Sequence, residues 1–425
     1  MITTLASDTI GTGPSVQITN EPEAFAEAIE TAFWGWMQAV QLPMKLRTMR
    51  MAKARDGEGF GIFITNEKNG DQVTLDLRTL ETEMIANPSM SYQETSNRDG
   101  IASLLYDGIE LDDLGNVTGY SMLKQHPGDA ISATLPNDAE IVDARNIIHL
   151  FNCERPGQLR GAPEITPALP LYAQLRRYTL AVIRCAESAA LPAWVMQTRN
   201  QPDEMVAGDP FDTVETERGM GMTLPEGYEI GQIKAEQPTG TYAEFKHQIL
   251  EEIARCLCMP YNIAAGISAG YNYSSGRLDH KTYYRSLRVE RSMIESVALE
   301  VIFARWWEEA VLIPGYLPDA FYGQKEIPSH EWRWDGDEHV DPTKEADAAE
   351  TRVRMGLSCL QDECTSLGKD FATIQKNNAE AMGLSLVEYR KRLADYYLPP
   401  AQNSLGMQQQ RRIAAPQDTG DATDG

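Results

Sequence analysis

The sequence predicts an α+β protein built from more than one packing unit. Strand-like segments with tight turns crowd the first part of the chain, and helical apolar stripes dominate the rest. Its 425 residues also exceed what one ordinary core holds. The hydrophobic fraction is 42%, and no apolar run reaches the length needed to cross a bilayer. The opening Met1–Asp8 lacks a basic region followed by an apolar stretch. Nothing there reads as an export signal, so the expectation is a protein made and kept in a cytoplasm.

Glu21 and Glu23 precede an Ala- and Trp-rich segment at 24–40 and mark a helix start; a second helix follows Pro43. Residues 59–65 and 73–77 are strand-like, and Asn69-Gly70-Asp71 between them is a hairpin signal. With further turns at 113–116 and 126–129, the chain to about residue 150 reads as a mixed unit. Thr166-Pro167 opens the next helix, threonine as cap and proline in the first turn. Its stripe of Leu171, Leu175, Tyr178, Val182, Cys185 and Ala189 runs down to Pro192. Residues 193–240 lose that period and hold strand candidates at 194–197 and 228–233.

Helical spacing returns with Phe245, Ile249, Ile253 and Leu257 and stops at Pro260. Residues 264–277 read as a Gly/Ser/Tyr/Asn loop. From 278 to 312 there is no proline, and Leu287, Ile294, Val297 and Val301 mark one face of a helix roughly 45 to 50 Å long. Trp332-Arg333-Trp334 is a strand candidate, and Asp341-Pro342 introduces a helical C-terminal part. There Val353, Leu357, Leu360 and Cys364 form a stripe, and Ser385 to Glu388 form a capping box. The tail beyond Pro399-Pro400 reads as disordered.

A formal charge of −24 and a pI near 4.7 argue against tight wrapping of nucleic acid, which needs a basic surface to release counterions. The same acidity suits solubility, or a conduit through which DNA slides without sticking. Six cysteines in this length make no disulfide framework, and Cys256, Cys258, Cys359 and Cys364 read as packing groups, so no metal and no cofactor are assigned. There is no P-loop or dinucleotide fingerprint, and the glycines at 57–61 and 219–221 read as turn glycines. The six histidines are scattered and read as structural. Glu251 and Glu252 diverge by about 100° on a helix and cannot act as a pair. The expectation is therefore a protein that is not an enzyme. Arg277, Lys281, Arg285 and Arg288 share one helical face beside the loop, which leaves three readings open: a salt-bridged surface, a contact with a neighbouring subunit, or a contact with phosphates. Arg176, Arg177 and Arg184 admit the same readings.

The stretch from His149-Leu150-Phe151 into Arg155–Pro163, with Gln158, Arg160, Gly161 and Pro163, resembles the Gln/Arg/Gly/Pro signature ahead of the first stem helix of lambda-like bacteriophage portal proteins. Four more stretches are similar in order and spacing. They are Gly108–Asp112 with Gly115 and Tyr120, Leu224–Tyr228, Tyr273–Arg277, and Val340–Ala346. The resemblance implies a ring of about twelve copies at one capsid vertex. It implies a wing at 1–163, a first stem helix at 164–190, a clip at 191–240 and a second stem helix at 241–263. A tunnel loop at 264–277 would follow, then a long helix returning to the wing at 278–345, a crown at 346–398 and a disordered tail at 399–425. Tyr271, Asn272, Tyr273, Ser274, Ser275 and Gly276 would line the DNA channel. Family members usually carry a longer region ahead of the segment matching Ile10–Pro14, so the start is either truncated or genuinely shorter here, which bears on part of the outer wing and not on the channel. The implied partners are double-stranded DNA, the terminase large subunit, head-completion proteins and the major capsid protein, without a membrane. The implied location is the virion, after assembly in the host cytoplasm. A cytosolic adaptor acting through acidic surfaces and an unrecognised hydrolase are the competing readings.

Overall fold

The structure, a computed structural model, describes residues 1–87, 93–96, 102–129, 139–190, 194–198, 228–232, 241–267, 270, 272–336 and 342–397. It is mixed helix and sheet and forms two compact units. One is Pro163–Tyr283 together with Met1; the other joins Ile2–Ala162 to the chain from Tyr284 onward. The predicted tail, Tyr271 and Gly219–Gly221 lie outside the described residues.

The larger unit begins with α1 (Ile2–Ile10), β1 (Ser15–Ile18), α2 (Glu23–Ala39) and α3 (Leu42–Asp56). Pro43 sits in the first turn of α3, where its missing N–H costs nothing, and Gly57 ends the helix in the left-handed conformation. The chain then turns into β2 (Glu58–Thr65) and, past the predicted Asn69-Gly70-Asp71 turn, into β3 (Leu75–Leu80). A second sheet is a five-stranded antiparallel meander of β4 (Gln93–Ser96), β5 (Ala102–Tyr106), β6 (Ile109–Leu111), β7 (Val117–Leu123) and β8 (Ala139–Asp143). Asp107 and Gly108, both with positive φ, form the two-residue turn that joins β5 to β6. Strand β9 (Ile147–Phe151) returns to pair with β2 and closes the three-stranded order β3-β2-β9. Gly59 and Gly61, read from sequence both as turn glycines and as part of the strand-like stretch at 59–65, lie within β2. A Cβ on Gly59 would come within 2.6 Å of the Met49 carbonyl, so the strand can pass this close to α3 only without a side chain.

The smaller unit holds α4 (Leu169–Ala190), the antiparallel pair β10 (Trp194–Thr198) and β11 (Tyr228–Gln232), α5 (Thr241–Cys256), and the short α6 (Tyr261–Ala265). Thr166 does not cap α4. Residues Thr166–Ala168 form a 3-10 turn closed by the Ala168 N–H on the Ile165 carbonyl, so the position before it is Ile165. Ala168, Ile249 and Ile253 are buried between this turn, α4 and α5, with Leu171 and Leu175 packed against them.

The expected single helix from 278 is α7 (Tyr273–Ile294), a π-helical turn at Glu295–Leu299, and α8 (Glu300–Ala310). Two indoles hold the acids around that turn: Trp334 Nε1 donates to Glu295 at 2.5 Å, and Trp332 Nε1 donates to Glu300 at 2.8 Å. Strand β12 (His330–Arg333) pairs with β1, and α9 (Pro342–Arg354), α10 (Leu360–Ser366), α11 (Phe371–Ala381) and α12 (Leu386–Tyr397) follow. The main core of the larger unit is aromatic. Phe33 lies 5.0 Å from both Phe303 and Trp306, and Trp36, Trp306 and Trp307 are fully buried. Burying several such rings dominates the stabilisation of this unit, at roughly 1.5 to 3 kcal/mol for each large apolar side chain.

Candidate functional site

The signature residues Arg160 and Gly161 meet Glu58, at the start of β2, in a buried latch. The Glu58 carboxylate is 2% exposed and is shared by four donor groups from three residues. Arg160 approaches Oε1 from Nε at 2.8 Å and from Nη2 at 2.5 Å, while Oε2 accepts from the Gly161 N–H at 2.9 Å and from His149 Nε2 at 3.0 Å. Arg160 Nη1 reaches on to the carbonyls of Ile85 (3.0 Å) and Asp107 (2.6 Å), tying both sheets to one guanidinium. A planar fork with five donors can do this; a lysine cannot. Gln158 accepts from the Glu154 N–H and donates to the carbonyls of Asn152 and Arg160, so it closes the loop that carries the arginine.

Burial alone would raise the Glu58 carboxyl, but hydrogen bonds from His149 and Arg160 outweigh it and hold the group at about 2. Burial lowers His149, against the pull of Glu58. The ring is accordingly neutral with its proton on Nε2, and Nδ1 faces the Tyr120 hydroxyl at 3.4 Å. Phe60 and Phe151 stack on its two faces at 4.2 and 4.3 Å. A Tyr-His-Glu string in a cleft would invite a catalytic reading. Here Tyr120 and His149 are both buried, so no substrate reaches them. Gly161 is required by space: a Cβ there would lie 2.1 Å from the Gly57 carbonyl oxygen. The Pro163 carbonyl accepts the Thr166 N–H that starts the 3-10 turn. The motif is thus a structural fastening, a role that its residue types alone do not reveal.

The expected loop at 264–277 is partly helical. Helix α6 occupies Tyr261–Ala265, and α7 begins at Tyr273, its first turn closed by the Gly276 N–H on the Asn272 carbonyl at 3.0 Å. Tyr273, Ser274, Ser275 and Gly276 are therefore helical positions rather than loop. Their small polar composition pointed the other way, but a turn-forming Asn just before them also suits a helix start. Arg277, Lys281, Arg285 and Arg288 are all exposed on α7, whereas Tyr283 and Leu287 of the same helix are buried. Within the smaller unit an open groove of about 520 Å³ is lined by Glu251, Glu252, Arg255, Asp279, Thr282 and Tyr283, among others.

Other sequence expectations shift in detail. Cys258 is exposed in a left-handed conformation just past α5, and Cys359 is exposed with its sulfur accepting the Asp362 N–H at the start of α10; neither packs in a core. The fold also gathers Glu81, Glu83 and His126, which sequence spacing did not suggest. His126 Nδ1 accepts the Gly128 N–H at 3.0 Å, so in the neutral ring the proton sits on Nε2, 2.8 Å from Glu81. Glu81 lies off the hydrogen-bond direction of that nitrogen, which makes no hydrogen bond among the described residues. Lys53, fully buried, and Arg50 share the Glu290 carboxylate, at 2.7 and 3.0 Å, and fasten α7 to α3. Among the described residues, no helix is long and apolar enough to cross a membrane.

A family model described as phage portal protein, lambda family, matches residues 1–291. The probable portal protein of Halomonas phage phiHAP-1 is 24% identical over 327 residues, which are 75% of this chain and 61% of that protein. The chain thus spans about three fifths of that relative's length. Portal protein B of Escherichia phage lambda is 20% identical over 396 residues, 83% of this chain and 73% of that one. Among solved structures, the chain is similar to one from the neck of an empty GTA particle computed with C6 symmetry. There the TM-score is 0.46 at 14% identity, covering 87% of this chain and 88% of the other. It is also similar to an HK97 family phage portal protein from Corynebacterium diphtheriae, with a TM-score of 0.31 at 11% identity, covering 82% and 92%. With 291 of 425 residues matched by the family model, the chain belongs to the lambda family of phage portal proteins.

Proposed function

We propose that this chain is the non-enzymatic portal of a phage. Copies assemble into a ring at one capsid vertex, and double-stranded DNA enters and leaves through its centre. The observation that carries this reading is the family match across residues 1–291. In the same reading the chain up to residue 163 serves as wing, to which 278–345 returns, α4 and α5 as stem, and the β10–β11 pair with its flanking residues as clip. The helices from α9 to α12 serve as crown. The terminase large subunit docks on the clip during filling, head-completion proteins replace it there, and the major capsid protein surrounds the wing.

The channel-facing part is Tyr271, Asn272, Tyr273, Ser274, Ser275 and Gly276, of which Tyr273 to Gly276 form the first turn of α7. Tyrosines and small polar groups contact sugar and phosphate weakly and release few counterions, so DNA slides past them. The formal charge of −24 per copy supports a bore that repels DNA toward its axis. Electron microscopy of the purified protein tests the reading: rings with a central hole are expected, and a monomer or dimer under every condition would refute it. For the channel surface, Tyr271→Ala with Tyr273→Ala is expected to lower DNA retention in a packaging assay without loss of rings. Unchanged retention would make the segment a mere connector.

A further inference from the structure

The basic face of α7 has no role in the reading above, and its composition says what covers it. At 100° per residue, Arg277, Lys281, Arg285, Leu278 and Val289 fall within an arc of about 120°, which also holds Arg288. The acids of this stretch, Asp279 and Glu290, lie outside it. These six residues are exposed, the two aliphatic ones largely so, Leu278 at 67% and Val289 at 70%. Phosphates would pair with Arg277, Lys281 and Arg285, but a nucleic-acid backbone gives Leu278 and Val289 nothing to pack on. A protein surface satisfies both, and interfaces enrich arginine around apolar contacts.

The complementary surface is present on the same chain. Helix α5 buries Ile249 and Ile253 and exposes Glu244, Glu251 and Glu252 within an arc of about 100°, with Arg255 as the one cation among them. Two different patches of opposite charge on one chain are what a head-to-tail contact between copies requires, and repeated by rotation such a contact closes a ring. We infer that the Arg277–Val289 face of α7 docks on the exposed carboxylate face of α5 of an adjacent copy. The inference rests on the ring reading and names the surfaces that close it. The charges set register and assembly rate, and Leu278 and Val289 supply the dry contact.

The test uses two charge-reversed full-length chains, Lys281→Glu with Arg285→Glu, and Glu251→Lys with Glu252→Lys, assayed by mass photometry and negative-stain microscopy. Each alone meets like charge at every contact, so the concentration needed for rings should rise by roughly tenfold or more. Mixed in equal amounts the two are mutually complementary, and alternating rings should form near the wild-type concentration. A chain that had merely misfolded would not be rescued by its counterpart. Rings from either variant alone at wild-type concentration, or no recovery on mixing, overturn the pairing while leaving the ring reading intact. Normal rings with reduced retention of DNA would assign the stripe to phosphates instead. A wild-type chain that never forms rings removes the ring reading and the pairing together.

Discussion

Replacing Glu58 by glutamine tests the latch that the family signature builds. The substitution keeps shape but removes the charge that Arg160 and His149 share, and its amide NH2 competes with the His149 Nε2–H for the same space. Two routes give the size of the effect. Removing one partner of a buried ion pair typically costs about 3 to 5 kcal/mol. A carboxyl held at about 2 instead of its ordinary 4.5 contributes on the order of 3 kcal/mol to folding at neutral pH. Because the group is lowered in the fold, that contribution is complete above pH 4.5 and is lost as pH falls through 2. Urea unfolding followed by tryptophan fluorescence should place the variant about 3 kcal/mol below wild type at pH 7. The gap should shrink to about half at pH 3 and nearly vanish at pH 2. Glu58 pulls the buried His149 upward, so the variant's His149 is held lower still and adds its own pH-dependent part to the difference. A variant within about 0.5 kcal/mol of wild type, or a gap that does not change with pH, would refute the latch.

Three further substitutions probe separate parts. Gly161→Ala forces a methyl to 2.1 Å from the Gly57 carbonyl oxygen and should cost roughly 3 kcal/mol, whereas Gly157→Ala, with positive φ but open space, should cost only about 1; equal melting temperatures would refute the close-approach explanation. Lys53→Met removes one of the two cations on Glu290 inside the larger unit and should cost about 2 to 3 kcal/mol in denaturant unfolding, and a stabilised variant would show that apolar packing outweighs the pair. Ser385 and Glu388 form the reciprocal capping box expected from sequence, so Ser385→Ala should cost about 1 kcal/mol and speed amide exchange in α12 alone; faster exchange throughout the chain would contradict a local role.

Much of the element order was legible because its signals are local. Pro43 in the first turn of α3, the Asn69-Gly70-Asp71 turn and the Ser385 box each depend on residues within a few positions of one another. The failures share a cause as well. Tyr273 to Gly276 looked like a loop because serine and glycine are poor helix formers. Yet they begin a helix whose far end is anchored by Glu290 on α3 and by the aromatic core, and tertiary contacts override propensities of a few tenths of a kcal/mol. The π turn at Glu295–Leu299 was invisible because the acids that flank it are held by Trp332 and Trp334, more than thirty positions away.

By itself the sequence determined the class, the helical stripes, the strand pairs joined by short turns and the family, since periodicity, turn chemistry and ordered motifs are written in neighbouring residues. Only the tertiary structure decided what the signature is for. Glu58 and Arg160 are about a hundred positions apart, and nothing local marks a glutamate in a glycine-rich segment as the counter-charge of that arginine. The same holds for the basic stripe. Spacing could place four cations on one face, but burial had to show that Leu278 and Val289 stand exposed among them, because exposure depends on everything the helix does not touch.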